Sequence, residues 1–81
     1  MFEGEQFDVG ECLVVAPVAG VFHPAPVRRR VRAGDVVGHL QVSAGEQVAV
    51  TSPFTGELVE VVAWPGERLG AYQRVARLRV A

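Results

Sequence analysis

The feature that most constrains this 81-residue chain is that it repeats itself. Ala16-Pro17-Val18-Ala19-Gly20-Val21-Phe22 aligns with Ser52-Pro53-Phe54-Thr55-Gly56-Glu57-Leu58 at an offset of 36, which pairs Pro17 with Pro53 and Gly20 with Gly56. Val31 to Val42 aligns with Leu69 to Val80 at an offset of 38, so only two residues separate the registers. A unit of this length cannot bury an apolar face alone, so the two copies must interlock. The duplication predicts an all-β fold, a flattened barrel with pseudo-twofold symmetry.

Composition supports strands rather than helices. Seventeen residues are Val and none is Ile, Lys or Asn, so the apolar content is largely β-branched and all the basic content is Arg. Pro or Gly punctuates the Val-rich runs every eight to twelve residues, as in sandwiches and barrels. Strands are predicted at Cys12 to Ala16, Gly20 to His23, Val36 to Val42, Gln47 to Thr51, Glu57 to Trp64 and Arg74 to Val80, with a weaker one near Val27 to Arg32. The last strand alternates most clearly, with Ala76, Leu78 and Val80 on one face and Arg77 and Arg79 on the other. The predicted core is Leu13, Val15, Phe22, Leu40, Val42, Val48, Val50, Leu58, Leu78 and Val80. Residues 1–11, with Glu3, Glu5, Asp8 and Glu11, read as an acidic N-terminal arm before a domain over 12–81.

Charge and cysteine content narrow the function classes. Eight Arg stand against nine acids for a net charge of −1, so no overall field draws the chain to nucleic acid or to an anionic membrane surface. One cysteine, Cys12, makes no internal disulfide, and it reads as a small buried hydrophobe. The start of the chain does not resemble a signal peptide, and no apolar run approaches a membrane span, so a cytoplasmic location is expected.

The motifs resemble those of the biotinyl/lipoyl carrier domains over Leu13 to Val80. Ala16 to Pro26 is similar to the opening motif of biotin carboxyl carrier proteins, and Ala33-Gly34-Asp35-Val36-Val37 to the turn before the central hairpin. Thr51-Ser52-Pro53-Phe54-Thr55-Gly56 resembles the segment after that hairpin, and Pro65-Gly66-Glu67-Arg68-Leu69 the final turn. The resemblance implies a barrel-sandwich hybrid, a flattened β-barrel/sandwich of two interlocked four-stranded sheets with pseudo-twofold symmetry, whose chemistry, in the family, sits on one lysine at the hairpin tip within an Ala-Met-Lys-Met type sequence. Here the tip reads Ser43-Ala44-Gly45-Glu46, and counting back from Gly56 places the acceptor at Gly45, or at Ala44 if the turn slips by one. Neither carries a nucleophile, the chain has no Lys, and Met1 is its one Met. Attachment of biotin or lipoate to a lysine is therefore excluded chemically, and no cofactor is expected. The stretch matching the family's thumb, His23 to Arg30, is short and carries Pro24, Pro26 and Arg28-Arg29-Arg30.

The remaining candidates are each weighed against a plainer role. Ser43 is the one nucleophile type near the tip, but Ser-x-Gly is ordinary turn chemistry and no His or acid is placed by sequence to activate it. His23 and His39 fall short of the three or four ligands a metal site usually has, so both are read as surface or half-buried side chains and no metal is expected. Arg28, Arg29, Arg30 and Arg32 form the one dense charge cluster, a candidate patch for a partner or an anion. Trp64, before Pro65-Gly66, reads either as a partner anchor or as packing at a strand end.

The leading expectation is a non-enzymatic, degenerate carrier domain, an accessory or protein-interaction subunit of an acyl-CoA carboxylase or similar assembly. Its partners are proteins, with self-association open and with neither nucleic acid nor membrane involved. The alternative is a β-module binding a small anion noncovalently, with the hairpin end and Arg28 to Arg32 as the site. A third reading, a fragment of a sugar phosphotransferase domain, needs a longer fold and paired active-site histidines, which His23 and His39 do not supply by sequence.

Overall fold

A computed structural model of the chain describes residues 10–80 and contains strands and turns but no helix among them. The strands are β1 (Glu11–Val15), β2 (Gly20–Pro24), β3 (Arg30–Val31), β4 (Val36–Ser43), β5 (Glu46–Thr51), β6 (Gly56–Val61), β7 (Arg68–Leu69) and β8 (Arg74–Val80). They form two four-stranded antiparallel sheets, ordered β1-β8-β6-β3 and β5-β4-β2-β7. Advancing each strand by four positions in chain order, cyclically, converts one sheet order into the other. The duplication read from the sequence is thus a twofold relation between sheets, and the product is a sandwich rather than a closed barrel.

Each repeated residue explains a repeated local structure. A Cβ on Gly20 would stand 2.9 Å from the Gln41 carbonyl oxygen, and one on Gly56 would collide with the carbonyl of Arg79, the counterpart of Gln41. Only glycine allows the paired strand's backbone to come so close there. The turns after β3 and β7 are likewise copies. The Arg32 N–H donates to Asp35 Oδ2 at 2.9 Å, and the Gly70 N–H donates to Gln73 Oε1 at 2.7 Å. Gly34 has φ 92° in the first turn, and Tyr72 takes the same left-handed conformation, φ 68°, in the second. Both turns then reach across the molecule: the Gly34 N–H donates to the Ser52 carbonyl at 2.8 Å, and the Tyr72 N–H to the Ala16 carbonyl at 2.7 Å.

The core lies between the sheets, and Phe22, Leu40 and Leu78 are fully enclosed, with Val14, Val31, Val50, Leu69 and Val75 at 1–2 % exposure. Four predicted core residues, Phe22, Leu40, Val50 and Leu78, are found there, while Val48, Leu58 and Val80 are half-buried. Three are not core: Leu13 is 42 % exposed, and Val15 and Val42 are 37 % exposed. In β1 the inward residues are Val14 and, just beyond the strand, Ala16. The run Cys12 to Ala16 is apolar throughout, so alternation could not choose its face. Val42 lies near the hairpin tip, on a stretch of β4 that is exposed from Gln41 onward.

Strand bounds otherwise moved little. The strand expected at Glu57 to Trp64 ends at Val61, the weak one near Val27 to Arg32 shrinks to Arg30–Val31, and the segment read as a final turn contains β7. Glu11, assigned to the acidic arm, opens β1, and the rest of that arm falls outside the described residues except Gly10.

Candidate functional site

The hairpin tip is built by β4 and β5, where Ser43 and Glu46 face each other as register partners and Ala44-Gly45 closes the loop. Gly45 has φ 76°, and a Cβ there would meet nothing within 4 Å, so the tip projects into solvent. Of the two mapped acceptor positions, Ala44 is the one free of a positive φ and thus the one where a longer side chain sits without strain. The Ser43 hydroxyl donates to Glu46 Oε1 at 3.0 Å. This corrects the expectation that no acid attends Ser43. The pair is exposed and has no imidazole beside it to carry the proton onward, so the carboxylate holds the hydroxyl rather than activating it.

The arginine cluster divides in two. Arg29 Nε lies 2.6 Å from Glu57 Oε2, and its side chain is 82 % exposed, a surface pair of small energetic worth. Arg30 on edge strand β3, with Arg28 before the strand and Arg32 just after it, lines a cleft of about 530 Å³ together with Val31, Asp35 and Thr55. A smaller cleft of about 230 Å³ adjoins it, bounded by Pro26, Val27 and Val36 and again by Arg28 and Arg30. All three arginines are exposed along the larger cleft, whereas Val31, which also borders it, is buried. The Thr55 hydroxyl accepts the Ala33 N–H at 3.0 Å and Asp35 accepts the Arg32 N–H, so the floor of the larger cleft is pinned from both repeats. Sequence reasoning found the arginines but not Asp35 or Thr55, which come from opposite sides of the hairpin.

Two further side chains differ from their sequence reading. Trp64 is 74 % exposed, its N–H donating to Glu67 Oε1 at 2.8 Å, which removes the reading of packing at a strand end. Cys12 is only half-buried, packed against the core beside Leu78, and burial raises its thiol pKa above the ordinary value. His23 and His39 are half-buried, as expected, but they are register partners on adjacent strands. Nothing in their sequence spacing marks that pairing. Among the described residues no group of three or more His, Cys, Asp or Glu gathers about one point, and no helix is long and apolar enough to cross a membrane.

No family model matches this chain, and no curated protein matches it. Its fold does match solved structures. One is a single-chain, multi-domain long-chain acyl-CoA carboxylase, with TM-score 0.79 and 22 % identity over 96 % of this chain and 8 % of that one. Another is the urea carboxylase of Kluyveromyces lactis, with TM-score 0.74 and 22 % identity over 96 % of this chain and 7 % of that one. A third is a succinylglutamate desuccinylase/aspartoacylase family protein from Shewanella amazonensis SB2B, with TM-score 0.68 and 14 % identity over 86 % of this chain and 20 % of that one. At these identities the likeness is one of fold, and this chain spans under a tenth of the length of either carboxylase.

Proposed function

We propose that the protein is a carrier-like domain that holds no acyl group and serves as an accessory, protein-binding subunit of an acyl-CoA carboxylase or a similar multienzyme assembly in the cytoplasm. The observation that carries this reading is the hairpin: a fold similar over 96 % of the chain to parts of two carboxylases ends in Ser43-Ala44-Gly45-Glu46, with no amine to acylate. A carrier's docking surfaces are made by its sheets and its tip, and they do not depend chemically on the group it carries.

Two measurements test it. Intact mass after co-expression with biotin–protein ligase and with lipoyl ligase should show the unmodified chain, and any biotinyl, lipoyl or phosphopantetheinyl increment overturns the reading. Ala44→Lys, at the tip position without positive φ, should then gain mass if the hairpin still presents itself as a carrier's does. Affinity capture from the native host should bring down carboxylase subunits, and a capture that repeatedly lacks them argues against the assembly.

A second reading rests on a separate observation, the cleft of Arg28, Arg30 and Arg32. Three arginines lining one cleft suit a small polyanion, because each guanidinium presents paired N–H donors to phosphate or carboxylate oxygens. Titration with inorganic tripolyphosphate distinguishes it. Arg30→Gln should weaken binding, whereas Arg68→Gln, at the corresponding position of β7, should not. Equal losses would mean only diffuse attraction to basic surface.

A further inference from the structure

The rung of the second sheet that holds His23 and His39 differs in its chemistry from the corresponding rung of the first. His23 on β2 is the register partner of His39 on β4, and the next rung, Phe22 with Leu40, is fully buried. Alternation therefore turns both imidazoles to the outer face of the sheet. Side chains directly opposite in an antiparallel pair have Cβ atoms about 4.5–5.5 Å apart, a span over which two imidazoles can aim nitrogens at one cation about 2.0–2.1 Å from each. The neighbours on either side are small. Ala49 of β5 stands opposite His39, and Gly66, whose N–H donates to the Phe22 carbonyl at 2.7 Å, passes beside β2. Neither brings a side chain longer than a methyl group over the pair.

The equivalent rung of the first sheet shows what these positions do elsewhere. His39 corresponds to Arg77; Val59, the counterpart of His23, falls at a register shift, so Arg77 pairs instead with Glu60, and Arg77 Nε lies 3.2 Å from Glu60 Oε1. There the rung is closed by opposite charges. Here it is occupied by two identical bases, and every ion pair among the described residues belongs to the other sheet or to the segment leading into it. Two neutral imidazoles cannot satisfy each other fully, and two protonated ones repel, but two lone pairs converging on one face form a chelate.

We propose that His23 and His39 form a two-imidazole site for a borderline divalent transition metal, Cu²⁺ more tightly than Ni²⁺ or Zn²⁺, with the remaining coordination positions open to water or to a donor from another molecule. The order follows from the nitrogen ligands, and hard cations such as Mg²⁺ and Ca²⁺ are not held. The site stands on the register of β2 and β4 alone and does not depend on the carrier-like reading.

The test is titration of the whole, tag-free protein at neutral pH with Ni²⁺ and with Cu²⁺. It is followed by calorimetry and by fluorescence of Trp64, the one tryptophan in the chain, which lies in the turn that contains Gly66. One metal per chain is expected, with affinity falling at least about tenfold in His23→Ala and equally in His39→Ala, a loss of the size that even outer-shell changes cause at metal sites. Cys12→Ala should bind as the parent does. Ni²⁺ should also raise the melting temperature of the parent and of neither histidine variant, since a ligand of the folded state stabilises by mass action. If an alanine variant fails to fold, His23→Gln and His39→Gln, which keep size and polarity, decide the matter. Binding that survives both histidine substitutions, that disappears only with Cys12→Ala, or that needs one histidine and not the other overturns the paired site.

Discussion

The two sheets of this molecule share a backbone and a core but not an outer surface. On the first, one rung runs Glu11, Arg79, Glu57 and Arg30 across β1, β8, β6 and β3, with Arg79 guanidinium nitrogens 3.7 Å from Glu11 and 3.8 Å from Glu57. On the second, the equivalent rung reads Gln47, Gln41, Val21 and Arg68 across β5, β4, β2 and β7. The next rung repeats the contrast, Arg77 and Glu60 against His39 and His23. Buried counterparts are the same residue at Val14 and Val50 or Leu40 and Leu78 and otherwise apolar or small, as interior packing demands, whereas solvent-facing counterparts differ in charge. One face became an ion-paired lattice and the other a nearly uncharged surface with an imidazole pair, and a face kept clear of its own ion pairs is the better placed to meet a ligand or partner.

The comparison can be broken first at the core. Leu40 and Leu78 are repeat counterparts and fully buried, so Leu40→Ala and Leu78→Ala should each cost about 2–5 kcal/mol, enough to unfold much of so small a domain. Circular dichroism melts that differ strongly between the two would show that the halves are not energetically equivalent. The paired turns come next. Gly34→Ala should destabilise by about 1–2 kcal/mol, while Tyr72→Gly, relieving a left-handed residue that is 77 % exposed, should stabilise by about 0.5–1 kcal/mol. In a domain of this size 1 kcal/mol moves the melting temperature by about 4–8 °C, so opposite shifts are readable.

The outer faces give smaller effects. Arg77→Gln should cost less than about 1 kcal/mol, since its ion pairs are exposed, and the loss should shrink in high salt. His39→Gln, on the equivalent rung, should show no such salt dependence. The smallest effect is expected at Cys12, which packs opposite Leu78 as its counterpart Val48 packs opposite Leu40. Cys12→Val should lie within about 0.5 kcal/mol of the parent at neutral pH. The folded thiol has a raised pKa, so the unfolded chain loses that proton first and stability falls as pH climbs through the thiol range. Melts at increasing pH should show that decline in the parent and not in Cys12→Val.

Most of the fold was legible because Pro and Gly mark the repeat and valine fills the strands between. The errors have particular causes. Leu13 and Val15 were placed inward from a run that is apolar at every position, yet the repeat itself held the correction: Val50 corresponds to Val14 and Ser52 to Ala16, and all four are buried. Strand β7 was hidden because two residues carry no period. At the site, Arg28, Arg30 and Arg32 were visible as a charge run, whereas Thr55 joins them only through the sandwich. The pairing of His23 with His39 depends on the register of β2 against β4, which alternation leaves free to slide by two residues at a time.

The reciprocal grip of the two turns bears on how the chain reaches this state. Gly34 in the first half closes onto Ser52 in the second, and Tyr72 in the second closes onto Ala16 in the first. Neither half can complete its hydrogen bonds until the other is in place, and the partners are far apart in sequence. Loop-closure entropy is then spent before the contacts that reward it form, so folding should be a single cooperative event on the slow side for a domain of this size, on the order of milliseconds to seconds. The same interlocking means that exchange of halves between two molecules would keep the contacts between sheets but would have to open the two-residue turn at Ala44-Gly45 and give up the Ser43–Glu46 hydrogen bond, so the tight hairpin works against swapped dimers.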